Sequence, residues 1–381
     1  MSRHILLLSA ETSGDIFGGE VATALREIDP EIKLSGIGGP NMDAAGIKLL
    51  DFDRSGVSIL GWWEGIVSYQ RILALAARAA EQILAERPDH LVLVDSWGFT
   101  LRVARAVRAI APEIKLTKLI GPQIWASRPG RAKTVAETYD QVLCVLQREL
   151  AFYESLNIDA RQIGHPAIDR FSEGDARAFR SRYGISDRAQ LCLVCPGSRH
   201  SEIERVAPNL IASARLLKSR YPGLRIVVAP SKAVSEHCRQ AVPPSPDEIW
   251  IDDQNELHDA MAAASVSLAC SGTITTELAC AGVATCVAYR VSPVTFALAK
   301  AGFMTTDYVS LLNVAAERAV MPEFLQARLQ PNIVAETAGI WLANEDVRCA
   351  QVKAQTDALG LLSDIKTPAS QMAARALLDL V

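Results

Sequence analysis

The sequence has no strong excess of one charge and no long apolar run. Its 381 residues include 39 Lys and Arg against 43 Asp and Glu, a formal net charge of −4. Nucleic-acid binding relies on a basic surface, so this balance argues against a nucleic-acid partner. No segment approaches the roughly 20 apolar residues of a membrane-spanning helix. The first apolar run stops at Glu11, so we expect a cytoplasmic chain whose contact with a membrane is at most peripheral.

Motifs for metal, redox or nucleophilic chemistry are also few. The single C-x-x-C, formed by Cys192 and Cys195, falls in a predicted strand that points the two thiols to opposite faces. The six histidines show no ligand spacing, and there is no G-x-S-x-G elbow. The D-x-D formed by Asp51 and Asp53 stands alone in an early loop, where a solvated loop is the favoured interpretation. We therefore expect neither a metal nor a cofactor.

Short apolar runs alternate with longer segments of helical period, which predicts βα units and parallel sheets covered by helices on both faces. The predicted strands are residues 4–9, 90–95, 115–120, 141–146, 190–195, 225–229, 265–269 and 285–289. The predicted helices are residues 69–86, 98–110, 202–220, 333–344, 346–359 and 370–380. The fold class is α/β.

A charged stretch between Gly164 and Gly184 interrupts this alternation, and we place the domain boundary there. The prediction is two doubly wound parallel-sheet domains, residues 1–170 and 185–340. Residues 341–381 are predicted to be helices. We expect them to close the second domain, and a return of this segment to the first domain is the further possibility.

The turn after the first predicted strand collects small and polar residues. Glu11, Ser13, Gly14 and Asp15 follow the strand and open a helix. In a doubly wound sheet this turn lies at the carboxyl edge, where ligands bind, and small residues let a sugar or phosphate approach the backbone. The alternative is an ordinary βα turn in which Ser13 or Asp15 caps the helix.

Two further candidate segments follow strands of the first domain. Asp95 comes directly after an apolar strand, where a general base would face the ligand, although it could equally cap the helix that begins near Gly98. After the next strand, Trp125 has the ring to stack on a sugar, and Arg128 or Arg131 the charge to meet a phosphate. The alternative there is a proline-shaped turn with solvated arginines.

The first strand of the second domain ends in the turn Gly197-Ser198-Arg199. The glycine permits close approach of the backbone, the serine and the following helix amino terminus offer hydrogen bonds to an anion, and the arginine pairs with phosphate oxygens. This combination favours a phosphate contact over a plain turn.

A second turn of the same kind is formed by Ser271, Gly272 and Thr273, again between a strand and a helix. Its N–H groups and hydroxyls suit a diphosphate without metal. Glu277, one helical turn further on, would accept hydrogen bonds from ribose hydroxyls. A helix capping box would look the same in sequence, so the evidence is the pair of turns in one domain.

A basic helix face is a further feature of the first domain. Arg102, Arg105 and Arg108 recur at helical spacing, and Trp62 and Trp63 lie upstream. An anionic acceptor or lipid headgroups would suit these groups, while a solvated helix face and buried indoles are the plain alternative.

Taken together and in order, these segments resemble the lipid-A-disaccharide synthase family of bacterial glycosyltransferases. The matching segments are residues 11–15, 38–42, 123–126, 164–165, 196–199 with Glu202, 271–273 with Glu277, 289–296 and 306–313. Each is weak alone, but the joint match spans most of the chain.

The resemblance implies a GT-B fold, in which two Rossmann-like domains face a central cleft, and an inverting, metal-independent transfer. It implies a UDP-2,3-diacylglucosamine donor, a 2,3-diacylglucosamine 1-phosphate acceptor (lipid X), a β-1,6 linkage and peripheral association with the inner face of the cytoplasmic membrane. Asp95 falls on the base that deprotonates the acceptor 6-hydroxyl, and Arg199 on a functionally important arginine. The implied nucleotide-sugar site comprises Gly197, Ser198, Arg199, Glu202, Ser271, Gly272, Thr273, Glu277, Arg290 and Asn313. The implied acceptor site comprises Glu11, Ser13, Gly14, Asp15, Trp125 and Arg128.

The chain departs from the family pattern beside Asp95. The family places a small residue, a proline and a second acid after this aspartate, whereas here Ser96, Trp97 and Gly98 follow. One carboxylate is therefore missing and a bulky indole is present, which bears on acceptor or acyl specificity. A UDP-sugar 2-epimerase of the same fold and a non-catalytic nucleotide-sugar-binding regulator are the alternatives. The sequence does not determine the oligomeric state, and a homodimer is one of the possible states.

Overall fold

The computed structural model describes residues 3–53, 65–94, 96–122, 130–293, 296, 306–363 and 367–380. The chain forms two compact units: Met1–Pro166 together with Ser363–Val381, and Ala167–Leu362. The boundary falls four residues before the expected residue 170. The chain re-enters the first unit at residue 363 rather than near 341, so helix Glu345–Leu359 belongs to the second unit.

The first unit contains a seven-stranded sheet, ordered β3-β2-β1-β4-β5-β6-β7, in which every neighbouring pair is parallel. Its strands are β1 His4–Ser9, β2 Lys33–Ile37, β3 Lys48–Leu49, β4 His90–Val94, β5 Lys115–Leu119, β6 Gln141–Cys144 and β7 Asp159–Gln162. Its helices are α1 Thr12–Ile28, α2 Pro40–Ala44, α3 Gly65–Glu86, α4 Trp97–Ile110, α5 Arg131–Thr138 and α6 Leu150–Glu154, preceded by the 3-10 turn Gln147–Glu149.

The second unit contains a parallel six-stranded sheet, ordered β10-β9-β8-β11-β12-β13. Its strands are β8 Leu191–Cys195, β9 Arg225–Val228, β10 Glu248–Trp250, β11 Val266–Cys270, β12 Ala284–Tyr289 and β13 Glu323–Leu325. Helix α7, Pro166–Arg170, lies at the boundary of the units. The helices that follow in this unit are α8 Ala176–Arg182, α9 His200–Arg205, α10 Ala207–Arg220, α11 Ser235–Ala241, α12 Gln254–Ala263, α13 Thr273–Cys280, α14 Leu311–Ala316, α15 Pro331–Ala343 and α16 Glu345–Leu359. The last helix, α17 Ala369–Asp379, belongs to the first unit. Two 3-10 turns are Lys232–Val234 and Gln326–Arg328.

The predicted strands are all present, and the pattern missed five more. Three of these are only two or three residues long, and β7 is half-exposed along its whole length. The helix predicted over residues 202–220 is two helices, because Pro208 lies in the first turn of α10, where its missing N–H costs nothing. Cys192 and Cys195 point to opposite faces, as predicted, since they belong to different apolar clusters.

Helix α17 completes the core of the first unit from the far end of the sequence. Ala373, Ala374 and Leu377 are fully buried and pack in one apolar cluster with Phe17 and Leu25 of α1. The first unit is therefore built from two segments separated by the whole of the second.

A row of buried polar side chains crosses the first sheet near its amino edge. The Nε2 of His90 lies 2.7 Å from Oγ1 of Thr117, which donates to Oε1 of Gln141 at 3.2 Å. Nε2 of Gln141 donates to Asp159 at 2.7 Å and to the carbonyl oxygen of Ala376 in α17 at 3.2 Å. Within the described residues, Nδ1 of His90 is buried without a hydrogen-bond partner.

This row predicts a pH-dependent stability. Burial lowers the pKa of His90 from 6.5 to about 4, while Asp140 raises it and Lys115 lowers it to smaller extents. Between these values the unfolded chain binds a proton that the folded chain does not. The free energy of unfolding should therefore fall as the pH falls through this window, by about 3 kcal/mol.

We expect His90→Gln to remove this part of the pH dependence, as measured by urea unfolding at about pH 7 and about pH 4.5, with hydrogen exchange reporting on β4. His200→Gln, at an exposed position, is the control and should keep the wild-type slope. A His90 variant with an unchanged slope would show that this imidazole does not titrate on unfolding.

Within each sheet, the strand order places the candidate turns next to one another. In the first sheet the order reverses between β1 and β4, and in the second between β8 and β11. Ligands of doubly wound sheets bind beyond the carboxyl ends of the strands at such switch points. The segments that follow these four strands contain most of the predicted site residues.

Candidate functional site

The two glycine turns of the second unit follow neighbouring strands of the sheet. Cys195 and Ala269, near the ends of β8 and β11, are direct partners in the sheet. Gly197 follows with a φ of 131°, and a Cβ on it would lie 2.8 Å from the Cβ of Glu202 and 3.7 Å from that of Cys270. A side chain at Gly197 would therefore be strained and crowded, which explains the glycine by packing within the site.

The carboxylate of Glu202 holds the first turn in shape. Its Oε2 accepts hydrogen bonds from the N–H groups of Ser198 at 2.9 Å and Arg199 at 3.3 Å. Its Oε1 lies 3.2 Å from Nη1 of Arg199, whose side chain is 74% exposed. The chain's own carboxylate thus occupies N–H groups that the pattern offered to a phosphate. The guanidinium of Arg199 is the exposed positive charge of this turn.

The second turn leads into helix α13, whose first residue is Thr273. Gly272 and Thr273 are exposed. Thr275 folds back on the turn, because both its N–H and its hydroxyl donate to the carbonyl oxygen of Gly272, at 3.1 and 2.8 Å. No side chain of the described residues caps this helix. Its positive end is consequently directed outward beside the first turn.

Glu277 lies one turn into α13 and is half-buried. Burial raises the pKa of its carboxyl group, and the positive charges of His258 and Arg170 oppose that rise. Within the part of the chain that the structure describes, no donor is bonded to this carboxylate. A desolvated acceptor of this kind gains most from a ligand hydroxyl, because the bond replaces hydration already lost.

Ser271 is fixed by a polar network rather than being open to solvent. Its hydroxyl donates to the carbonyl oxygen of Val309 at 3.0 Å. Glu323, at the start of β13, accepts the N–H of Val309 at 3.0 Å and both the N–H and the hydroxyl of Ser310, at 2.8 and 2.7 Å. Glu323 was absent from the predicted site because its strand has only three residues. It nevertheless positions the loop that supports the second turn.

Asn313 belongs to the same network and is fully buried. Its Nδ2 donates to the carbonyl oxygen of Met321 and to Glu323, each at 2.8 Å. Its Oδ1 accepts the N–H groups of Val320 at 2.8 Å and Met321 at 2.7 Å. These four bonds use the whole hydrogen-bonding capacity of the amide. In this geometry the amide of Asn313 holds residues 310–313 against residues 320–323, and the nucleotide contact expected of it stays a prediction.

Arg290, another predicted nucleotide contact, is also engaged within the chain. Its Nη2 donates to the carbonyl oxygens of Gln326 at 2.8 Å and Leu329 at 3.0 Å. The guanidinium thus ties the end of β12 to the turn that follows β13.

In the first unit, Asp15 joins the turn after β1 to the turn after β2. Its carboxylate accepts the N–H of Gly39, the N–H and Nδ2 of Asn41 at 3.1 and 2.8 Å, and the N–H of Met42 at 3.4 Å. Burial by itself raises the pKa of Asp15, but these bonds outweigh it and the pKa is lowered. Asp15 is almost fully buried, and its carboxylate holds these two turns together, while the acceptor contact expected of it stays a prediction.

Gly14 likewise serves packing. It is buried, and a Cβ there would lie 2.6 Å from Oγ of Ser9 and 3.4 Å from Cγ1 of Val94. The glycine lets α1 lie close against β1 and β4, and this packing alone accounts for a glycine at the position. Glu11 and Ser13, in contrast, are exposed at the carboxyl end of β1.

Two residues of the first unit have left-handed backbones directly beyond neighbouring strands. Ser96 follows β4 with a φ of 42°, and Ile120 follows β5 with a φ of 60°. Such conformations cost on the order of 1–3 kcal/mol in residues other than glycine and concentrate at functional sites. The strain lies beside the predicted base and the predicted acceptor loop. Asp95, Trp125 and Arg128 themselves lie outside the described residues.

The two parallel-sheet units define a fold class, the GT-B fold. Enzymes that handle nucleotide sugars with a GT-B fold are built from two Rossmann-like units of this kind. The UDP-N-acetylglucosamine 2-epimerase of Neisseria meningitidis bound to its UDP-sugar superposes with a TM-score of 0.62 at 14% identity, over 100% of both chains. Acinetobacter baumannii MurG superposes with a TM-score of 0.56 at 13% identity, over 99% of both. At these identities the likeness shows the fold alone.

The sequence comparisons define the family. The lipid-A-disaccharide synthetase family model matches residues 5–377. The lipid-A-disaccharide synthase of Rhodospirillum centenum is 33% identical over 381 residues, which cover 99% of this chain and 94% of that relative. The chain belongs to the lipid-A-disaccharide synthetase family and is a glycosyltransferase. The resemblance found in the sequence motifs is confirmed.

Proposed function

We propose that the protein transfers 2,3-diacylglucosamine from UDP-2,3-diacylglucosamine to 2,3-diacylglucosamine 1-phosphate, forms a β-1,6 linkage and releases UDP. Family membership over residues 5–377 is the observation that carries this proposal. The polar turns at both switch points support it.

The second unit would bind the donor. The exposed Arg199 guanidinium and the uncapped start of α13 at Thr273 offer positive charge to the diphosphate. Glu277 would accept hydrogen bonds from the ribose hydroxyls. Because the arginine and the helix terminus supply the charge that the leaving UDP needs, we propose transfer without a metal ion.

The first unit would bind the acceptor. Asp95 would take the proton of the acceptor 6-hydroxyl as that oxygen attacks the anomeric carbon of the donor, while the bond from this carbon to the diphosphate oxygen breaks. Attack opposite the leaving group inverts the anomeric centre. Glu11 and Ser13 lie at the end of β1, directly beside β4 in the sheet, where they would meet the acceptor sugar.

Substrates with acyl chains reside in a membrane, so we propose peripheral association with the inner face of the cytoplasmic membrane. No helix among the described residues is long and apolar enough to cross a membrane.

Product analysis tests the proposal. The purified protein, given both substrates and excess EDTA, should release one UDP for each β-1,6-linked disaccharide formed. UDP-N-acetylglucosamine should be returned without its C2 epimer. Epimerisation without transfer would favour the epimerase alternative, and UDP binding without any turnover would favour the regulator.

Arg199→Ala should weaken donor binding and slow transfer together, because the guanidinium pairs with the diphosphate in both the ground state and the transition state. We expect kcat/KM for the donor to fall by about 10- to 100-fold. Arg220→Ala is the matched control, since this arginine ends α10 at the opposite edge of the sheet and makes a long 3.9 Å pair with Glu336. Wild-type donor kinetics in Arg199→Ala would move the diphosphate away from this turn.

A further inference from the structure

Trp97 and Arg131 form a pair at the carboxyl edge of the first sheet. Trp97 is the first residue of α4 and Arg131 the first residue of α5. These helices follow β4 and β5, which are neighbours in the sheet. The guanidinium carbon of Arg131 lies over the indole ring of Trp97, 5.9 Å from its centroid. A planar guanidinium over an indole face is a cation–π contact that restricts where the charge can lie.

The indole is held from below. Trp97 is half-buried and packs against the apolar cluster that contains Phe99 and Val103 of α4. The strained Ser96, with its φ of 42°, fixes the direction in which α4 starts. The core therefore holds the indole ring in place. The contact with this ring limits the positions that the Arg131 guanidinium can take.

The surroundings of the pair carry positive charge. Among the described residues, a Cβ on the exposed Gly98 would meet only Nη1 of Arg102, at 3.9 Å. That guanidinium donates to the carbonyl oxygen of Gly98. In the family pattern this position holds the second acid, whose carboxylate would repel an anion. Here the position is a glycine, and two guanidinium groups flank the start of α4.

We propose that Arg131 binds the phosphate group of the sugar-phosphate acceptor and that Trp97 is the positioning residue that holds its guanidinium. The inference rests on the proposed function, because the anion is assigned to the acceptor. Arginine suits this task since its five N–H donors can engage a phosphate and a second partner at the same time.

The experiment compares a short-chain, soluble glucosamine 1-phosphate acceptor with the same sugar bearing a 1-hydroxyl group. For Arg131→Gln we expect KM and Kd for the phosphorylated acceptor to rise by about 10- to 100-fold, with kcat and donor KM little changed. The 1-hydroxyl acceptor should be unaffected. An equal effect on both acceptors, or none on either, would overturn the proposal.

Trp97 is tested by graded substitution. Trp97→Phe keeps an aromatic face and should stay within about threefold of the wild type, whereas Trp97→Leu should reproduce most of the Arg131→Gln effect on KM. Lys133→Gln removes a charge from the exposed surface of the same helix, where the lysine pairs with Glu137 at 3.7 Å, and should be silent. Thermal unfolding and UDP affinity exclude misfolded variants. If Trp97→Leu lowers stability but leaves acceptor KM unchanged, the indole has no positioning role.

Two further measurements separate an acceptor site from a contact with the membrane surface. Calorimetric binding of the phosphorylated acceptor requires no turnover, so it tests Arg131 even if disaccharide synthesis fails. Vesicles containing about 30% anionic phospholipid provide the other source of phosphate groups. If Arg131→Gln loses vesicle binding but keeps its Kd for the soluble acceptor, the guanidinium contacts lipid headgroups and the proposal is wrong.

Discussion

Asp95→Asn is expected to reduce transfer by about a thousandfold or more while leaving the affinity for UDP within about twofold. Residue 95 follows Val94, the last residue of β4, at the switch point of the first sheet. An amide has nearly the shape of the carboxylate but cannot accept the proton of the acceptor hydroxyl. The turns proposed to bind the nucleotide belong to the second unit, so the loss should appear in kcat and not in UDP binding.

Single-turnover transfer and calorimetric titration with UDP measure the two quantities separately. Asp51→Asn is the matched control, because Asp51 is exposed in the loop of the first unit that carries the D-x-D. It should transfer at the wild-type rate. If Asp95→Asn retains a tenth or more of the wild-type rate, another group must be the base.

Asn313→Asp is expected to cost about 4 kcal/mol of the free energy of unfolding at neutral pH. The substitution preserves shape but removes both Nδ2 donors, and it places a carboxylate 2.8 Å from that of Glu323. Two carboxylates at this distance cannot both stay ionised without a large penalty. Lower pH should restore part of the stability, because the new carboxyl group can donate once it is protonated.

Asn344→Asp is the control, since Asn344 caps α16 by accepting the N–H of Val347 at 3.1 Å and a carboxylate serves equally well. Urea unfolding at two pH values reports the effect on the second unit. If Asn313→Asp is as stable as the wild type but fails to bind UDP, the amide would be a ligand contact, as the sequence resemblance implied.

The positions of the candidate turns could be predicted from the sequence because each follows an apolar strand directly. Gly197, Ser271 and Glu11 lie at the carboxyl edge simply because their strands end there. Chain order alone does not determine which strands are central, because doubly wound sheets occur with several strand orders, so the switch points are known from the structure.

The partners of the polar side chains could not be predicted, because they depend on segments distant in sequence. Asp15 binds Gly39, 24 residues away, and Ser271 binds Val309, 38 residues away. Sequence alone shows a carboxylate or a hydroxyl near a ligand-binding edge. Whether it faces the ligand or another turn is decided by tertiary packing, and for Asp15 and Asn313 the chain itself provides the partners.

The short outer strands escaped prediction for a different reason. Strand β3 has two residues and β13 has three, too few for any periodicity to be visible. They form only once neighbouring strands provide backbone partners.

The late return of the chain to the first unit has a consequence for synthesis on the ribosome. Amino-terminal domains commonly fold while the rest of a protein is still being made. Here Phe17 and Leu25 of α1 obtain the covering they need from Ala373 and Leu377, which are translated after the entire second unit. The nascent first unit must therefore wait with an apolar helix face uncovered, and the second unit is the first to complete its core.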